Sequence, residues 1–159
     1  MIYVIYLLVI ALLTLLDQLS KKAIVENIAL NEKIVIIKDF FNITYVRNYG
    51  AGFSILQNAR VFLSLISLIA IVVLSYYLYK TKKNQLYDII SYLFIISGAL
   101  GNLIDRLRLS YVVDFLDFYI FGYDYPVFNV ADSFITVGCV MIIIKMVYES
   151  IKEKRSARN

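Results

Sequence analysis

Histidine is absent from these 159 residues, and cysteine occurs once. Without a histidine base, the serine-protease arrangement is excluded. A Ser–Lys dyad finds no support either: Ser20 stands directly beside Lys21 and Lys22 rather than facing them across a helical turn. No histidine and a single Cys139 argue against a zinc site of the usual ligand types. One cysteine also excludes an intramolecular disulfide, and redox chemistry says nothing about compartment. Internal repeats and low-complexity linkers are missing as well. Acidic charge is scarce and scattered, with 12 Asp and Glu against 16 Lys and Arg, a net charge of +4. The basic residues sit at segment ends and in the tail, so nucleic-acid binding is not expected and contact with membrane lipid is.

What the chain has in abundance is apolar sequence: 61% hydrophobic residues and a mean hydropathy of +0.75. That is too apolar for an ordinary soluble domain, and it predicts one integral-membrane unit over residues 1–159. Four apolar segments run about Ile2 to Leu16, Val61 to Tyr79, Tyr87 to Ile104 and Ser133 to Tyr148. Each approaches the roughly 20 residues that a helix needs to cross the hydrocarbon core. The first has no basic start and no small-x-small site before Asp17, so it reads as a retained helix rather than a signal peptide. Lys33 to Lys38 and Phe40 to Val46 are rich in β-branched and aromatic residues and predict strands; Asn48 to Gly52 reads as a turn. The expected architecture is membrane α-helical: four transmembrane helices with a small extramembrane β-sheet, its β-rich stretch about 31–57.

Lys80, Lys82 and Lys83 fill one short connection, and Lys152, Lys154, Arg155 and Arg158 crowd the tail. The positive-inside rule puts both in the cytoplasm, and the N-terminus with them. Asp17, Asn48, Gly50, Asn102, Asp105, Arg106, Asp114 and Asp132 then converge on the outer membrane face. The tyrosines, Tyr76, Tyr77 and Tyr79 above all, read as interfacial belts, and Cys139 as a core residue of the fourth span.

Carboxylates at membrane depth are costly. Spacing alone leaves two readings open for Asp114 and Asp132. They form an acid–base pair sharing one proton, or Asp132 merely caps the fourth helix with Asn129 or Ser133 and Asp114 is a solvated loop residue. Asp105 and Arg106 read as an ion pair. Asp17 and Lys21, four apart, read as an interfacial salt bridge. Gly98 and Gly101 suit close helix packing, and Gly50 a turn with positive φ. A small ion or proton transporter and a non-catalytic assembly subunit remain as rivals. A transporter predicts acidic groups along a path through the bilayer, whereas here they gather at one side.

Five motifs occur in order: Asp17-Gln-x-x-Lys21, Asn48-x-Gly50-x-x-Phe53, Gly101-Asn102-x-x-Asp105-Arg106, Val112-Val113-Asp114-Phe115 and Phe128-Asn129-x-Ala131-Asp132. In this the chain resembles the lipoprotein signal peptidases (bacterial signal peptidase II) over nearly its whole length. The resemblance implies an intramembrane aspartyl endopeptidase of the bacterial cell membrane, with its active site near the outer face. Its implied substrates are prolipoproteins carrying a diacylglyceryl group, cut just before the lipidated cysteine to release the signal peptide. It implies Asp114 and Asp132 as the catalytic pair and Asn102, Arg106 and Asn129 as residues lining or supporting the site. Asp17, Lys21, Asn48 and Gly50 are implied in substrate holding or integrity of the fold. The outer sheet would be a cradle for the substrate, with no metal or organic cofactor and a monomeric chain. Two positions depart from the family pattern: Ser110, where glycine is frequent, and Gly52, where alanine is common.

Overall fold

The computed structural model describes residues 2–50 and 56–156. Ala51, Gly52 and Phe53 of the expected turn and motif, and Arg158 of the tail, lie outside the described residues. The elements run α1 (Ile2–Asn27), β1 (Lys33–Ile37), β2 (Phe41–Asn48), α2 (Arg60–Lys80), α3 (Leu86–Leu109), β3 (Val112–Ile120), β4 (Tyr123–Asp124) and α4 (Val130–Ser156). All four helices, of 26, 21, 24 and 27 residues, are long and apolar enough to cross a membrane.

The helix α3 is the centre of the bundle and packs against the other three. It is the one helix whose apolar window is mostly buried, at 61% against 17% or less for the rest. Small residues make this possible. A Cβ on Gly98 would overlap the Ala131 carbonyl of α4, and one on Gly101 would overlap the Asp17 carboxylate of α1. On the facing helix, a Cβ on Gly138 would come within 2.6 Å of Ile95 and 2.7 Å of the Ser91 carbonyl. Close packing of this kind replaces the hydrophobic effect, which does little between helices in lipid. Gly101→Ala is therefore expected to cost about 1–3 kcal/mol as overpacking and to misplace Asp17. Thermal unfolding in detergent checks it.

Where the first span was expected to end at Asp17, α1 continues for ten further residues to Asn27. Thr14, Asp17, Lys21 and Ile24 are buried on one face at helical spacing. The polar members of that stripe find partners in other helices, Thr14 and Lys21 in α3 and Asp17 in α4, so the helix has no reason to stop. The fourth helix is also longer than its apolar run: it starts at Val130 rather than Ser133 and continues to Ser156.

The sheet is antiparallel with strand order β1-β2-β3-β4. Its first two strands match the sequence expectation, but the sheet is not confined to 31–57, because β3 and β4 come from the connection between α3 and α4. β3 pairs with β2 in the register Asn48↔Val112, Val46↔Asp114 and Asn42↔Asp117. Ile24 of α1 packs with Tyr45, Val113 and Phe115 and seats the sheet on the helix ends.

Two surface features complete the picture. Tyr3 stacks on Tyr79 at 5.5 Å and Tyr76 packs edge-on against Tyr77, all at the helix ends remote from the sheet. Cys139, expected in the core, is instead exposed on the outward side of α4. The apolar face of that helix is directed at lipid as much as at α3, so hydrophobicity does not decide which side is buried.

Candidate active site

Three elements bring the two carboxylates together. Asp114 stands on β3, directly after buried Val112 and Val113. The Phe115 and Leu116 amides both donate to the Phe128 carbonyl, at 3.0 and 2.7 Å, so a bulged strand ties the Asp114 segment to the entrance of α4. Asp132 stands in the first turn of α4. The Asp132 amide donates to Asn129 Oδ1 at 2.9 Å, and the Asn129 amide donates to Asp132 Oδ2 at 3.2 Å. This is a reciprocal capping box with Asn129 at the cap and Asp132 three residues on.

The helix-capping reading of Asp132 is thus correct as far as one of its oxygens goes. The other oxygen accepts a hydrogen bond from Asn102 Nδ2 at 2.7 Å. Asp114 is no solvated loop residue; it is 2% exposed. Its Oδ1 accepts from Asn129 Nδ2 at 2.7 Å and its Oδ2 from Asn48 Nδ2 at 2.9 Å. Asn129 accordingly donates to both carboxylates, through its side chain to one and its backbone to the other. Burial pushes the Asp114 carboxyl up to about 7, the nearby Asp132 charge adds to the push, and the bonds from Asn48 and Asn129 oppose it.

Behind the two carboxylates lies a buried charged layer. Lys21 Nζ is 2.9 Å from Asp17 and 3.0 Å from Asp105. It also donates to Asn102 Oδ1 at 3.0 Å, and Asn129 Nδ2 lies 3.2 Å from the same oxygen. With two donors on its oxygen, the Asn102 amide has one orientation open to it, the one that presents Nδ2 to Asp132. Asp17 Oδ1 accepts from the Ala131 amide at 2.9 Å, binding α1 to the start of α4. The Asp17–Lys21 pair is therefore buried rather than interfacial, at 0% and 3% exposure. Asp105 pairs with Lys21 and not, as its neighbour in sequence suggested, with Arg106. It also accepts from the Val113 amide at 3.2 Å.

Arg106 turns the other way. Its Nη2 donates to the Gly50 carbonyl at 3.1 Å, while the Gly50 amide donates to Asn48 Oδ1 at 2.9 Å. Gly50 thus joins the site through its backbone. Ser110 caps α3 in the left-handed region at φ 72°, a conformation that glycine adopts without strain. Its hydroxyl accepts from Arg60 Nη1 at 2.8 Å, which fastens the start of α2 to the end of α3.

Asn48, Asn102, Arg106, Asp114 and Asp132 all line one cavity of about 460 Å³. Its remaining walls are Val112, Tyr125 to Phe128 and the α4 residues Ser133, Ile135, Thr136 and Val137, so it is polar at one end and largely apolar elsewhere. Of the residues expected at the site, Asp17, Lys21 and Gly50 support it from behind, and Asn129 bridges the carboxylates. Sequence reasoning passed over Gln18, whose amide donates to Asp105 at 3.0 Å and to Asp17 and the Gly101 carbonyl at 3.2 Å. Its place between Asp17 and Lys21 was the available signal. The wall from Tyr125 to Phe128, which holds the only proline, carried no such signal.

A sequence profile described as Signal peptidase (SPase) II matches residues 9–148. Among curated relatives, the lipoprotein signal peptidase of Halothermothrix orenii is 45% identical over 144 residues, covering 91% of this chain and 93% of the relative. That of Clostridioides difficile is 44% identical over 149 residues, covering 94% and 99%. A bacterial membrane enzyme solved in meso at 2.3 Å superposes with a TM-score of 0.86 at 36% identity, over 91% of this chain and 88% of the other. A second such structure, at 1.9 Å, gives 0.80 at 37% identity, over 89% and 91%. The profile takes in every residue of the cavity and of the charged layer behind it, and the chain belongs to the signal peptidase II family of membrane peptidases.

Proposed function

We propose that the chain is an intramembrane aspartyl endopeptidase in which Asp114 and Asp132 share one proton and hydrolyse a peptide bond. The observation that carries the reading is the single cavity lined by both carboxylates, with Asn129 donating to each. Two carboxyls in a poorly solvated site do not ionise together. The ionised member takes a proton from water as its oxygen attacks the scissile carbonyl, and the protonated member donates to the carbonyl oxygen. Collapse of the tetrahedral intermediate returns a proton to the leaving amine. The pair titrates as a unit, so neither aspartate owns a fixed role. Asn102, Asn129 and Asn48 hold the carboxylates in place, and Arg106 adds donors directed at a substrate carbonyl.

The substrate is a prolipoprotein already bearing a diacylglyceryl group, cut before the lipidated cysteine with release of the signal peptide. The apolar wall of Ile135 and Val137, opening beside the lipid-facing side of α4, suits a substrate that arrives from the bilayer. The sheet serves as its cradle on the outer face, with both termini cytoplasmic. A lipid-anchored substrate brings its scissile bond close to the interface, where proximity supplies much of the rate and water is at hand.

Transport is less well supported. Among the described residues, the remote halves of the helices hold only the ion pairs of Lys145 with Asp88 at 2.5 Å and with Glu149 at 3.5 Å, and Asp88 stands in the first turn of α3, at the end opposite Asn102 and Arg106.

The working state holds one proton on the pair. Cleavage is therefore expected to decline above about pH 7, as the pair loses its shared proton, and again in acid, when the remaining base is protonated. Initial rates of signal-peptide release from a diacylglyceryl-modified proprotein across pH test this. A rate that keeps rising well past neutrality would rule out the shared proton.

A further inference from the structure

A second cavity, of about 290 Å³, lies between the last turns of α1 and α3 under β3. It shares no lining residue with the cavity of the carboxylate pair. Its floor is Gln18, Lys21 and Asp105, where Asp105 is bonded by both of the others and Lys21 is shared with Asp17. Its rim combines apolar and cationic groups with one carboxylate, that of Glu26. Leu19, Val25 and Leu109 are apolar and exposed, at 53%, 44% and 39%. Lys22 and Arg108 are cationic. Among the described residues, the Arg108 guanidinium has neither an ion pair nor a hydrogen bond. Lys22 has only a long contact of 3.7 Å with Glu26, both side chains being mostly in solvent. An exposed pair of that length binds neither partner firmly.

We infer that this cleft binds the phosphate headgroup of an anionic glycerophospholipid, with the acyl chains leaving along Leu19 and Leu109. Position, charge and shape support it together. The cleft lies where the membrane-crossing helices meet the sheet, the level of lipid phosphates. Arg108 offers a planar fork of donors to a phosphoryl group, and Lys22 a flexible point charge beside it. The Lys21 ammonium at the floor is already held by Asp105 and Asp17, so it has no charge to offer an anion, and the ligand is confined to the rim. Arg108 also stands in the last turn of α3, where a cation is favoured by the helix dipole even without a ligand. That bland role predicts no lipid preference. The site stands apart from the carboxylate pair, and its test does not depend on peptidase activity.

The experiment is native mass spectrometry of the full chain in detergent, titrated with phosphatidylglycerol, phosphatidylcholine and inorganic phosphate. Each cation beside an anionic headgroup is worth a factor of about five. Lys22→Gln with Arg108→Gln is thus expected to weaken phosphatidylglycerol binding about thirtyfold, whereas Arg108→Lys keeps most of it. Phosphatidylcholine binds more weakly than phosphatidylglycerol, and inorganic phosphate does not displace the lipid. Lys82→Gln with Lys83→Gln, at the opposite ends of the helices, leaves binding unchanged. Equal binding by the Lys22/Arg108 double variant and the wild type would overturn the assignment. So would an equal loss in the Lys82/Lys83 variant, which marks general charge attraction. Competition by inorganic phosphate would reduce the cleft to a free-anion site.

Discussion

Asp114→Asn and Asp132→Asn are each expected to fold and to lose cleavage by roughly a thousandfold or more, the scale of a missing general acid or base. The double variant is expected to be no slower than either single one, because groups that act as a unit are not additive. An amide at either position cannot exchange the proton. It does keep one acceptor oxygen at each position, for Asn48 or Asn129 at the first and for Asn102 or the Asn129 amide at the second. Retention of fold is therefore part of the prediction and is checked by thermal unfolding in the same detergent. If the two single losses multiplied in the double variant, the carboxyls would be acting separately, and the shared-proton mechanism would fail.

The second large effect belongs to Lys21, which touches no substrate. Its ammonium lies within 3.0 Å of both Asp17 and Asp105 and holds Asn102 Oδ1. Lys21→Met leaves two buried carboxylates without a counter-charge, and removing one partner of such a pair costs roughly 3–5 kcal/mol. Adding Asp17→Asn and Asp105→Asn to Lys21→Met removes the orphaned charges and is expected to restore most of the thermal stability. Activity should stay low in that triple variant, since Asn102 no longer has the ammonium that fixes its amide towards Asp132. Recovery of stability and activity together would show that Lys21 serves the fold alone. A Lys21→Met protein as stable as wild type would contradict the burial of the charged layer.

How much of this was legible beforehand varied with the physics involved. Long apolar runs announce themselves, and the four spans were placed correctly though the first, third and fourth were cut short. The α1 extension was missed because hydropathy falls at Asp17, while the helix is carried onward by polar contacts with α3 that no single segment reveals. Val112 to Ile120 has the β-branched and aromatic content of a strand, yet its partner β2 lies more than 60 residues away in sequence. Pairing over that separation does not show in local pattern. Asp105 and Arg106 looked like a pair because they are adjacent. Successive helix positions point in different directions, so one meets Lys21 and the other Gly50. The clearest case is Asp132, where capping and site membership had been set as alternatives. One oxygen does each, and the helix start is the device that aims the carboxylate.

The account rests on Asp114 and Asp132 acting on a peptide bond. The measurement that tests this most directly is cleavage of a diacylglyceryl-modified proprotein by folded wild type, Asp114→Asn and Asp132→Asn, side by side, with the products identified by mass. The predicted result is one cut, immediately before the modified cysteine, made by wild type and by neither variant. Cleavage at near wild-type rate by either folded variant would contradict the carboxyl-pair mechanism.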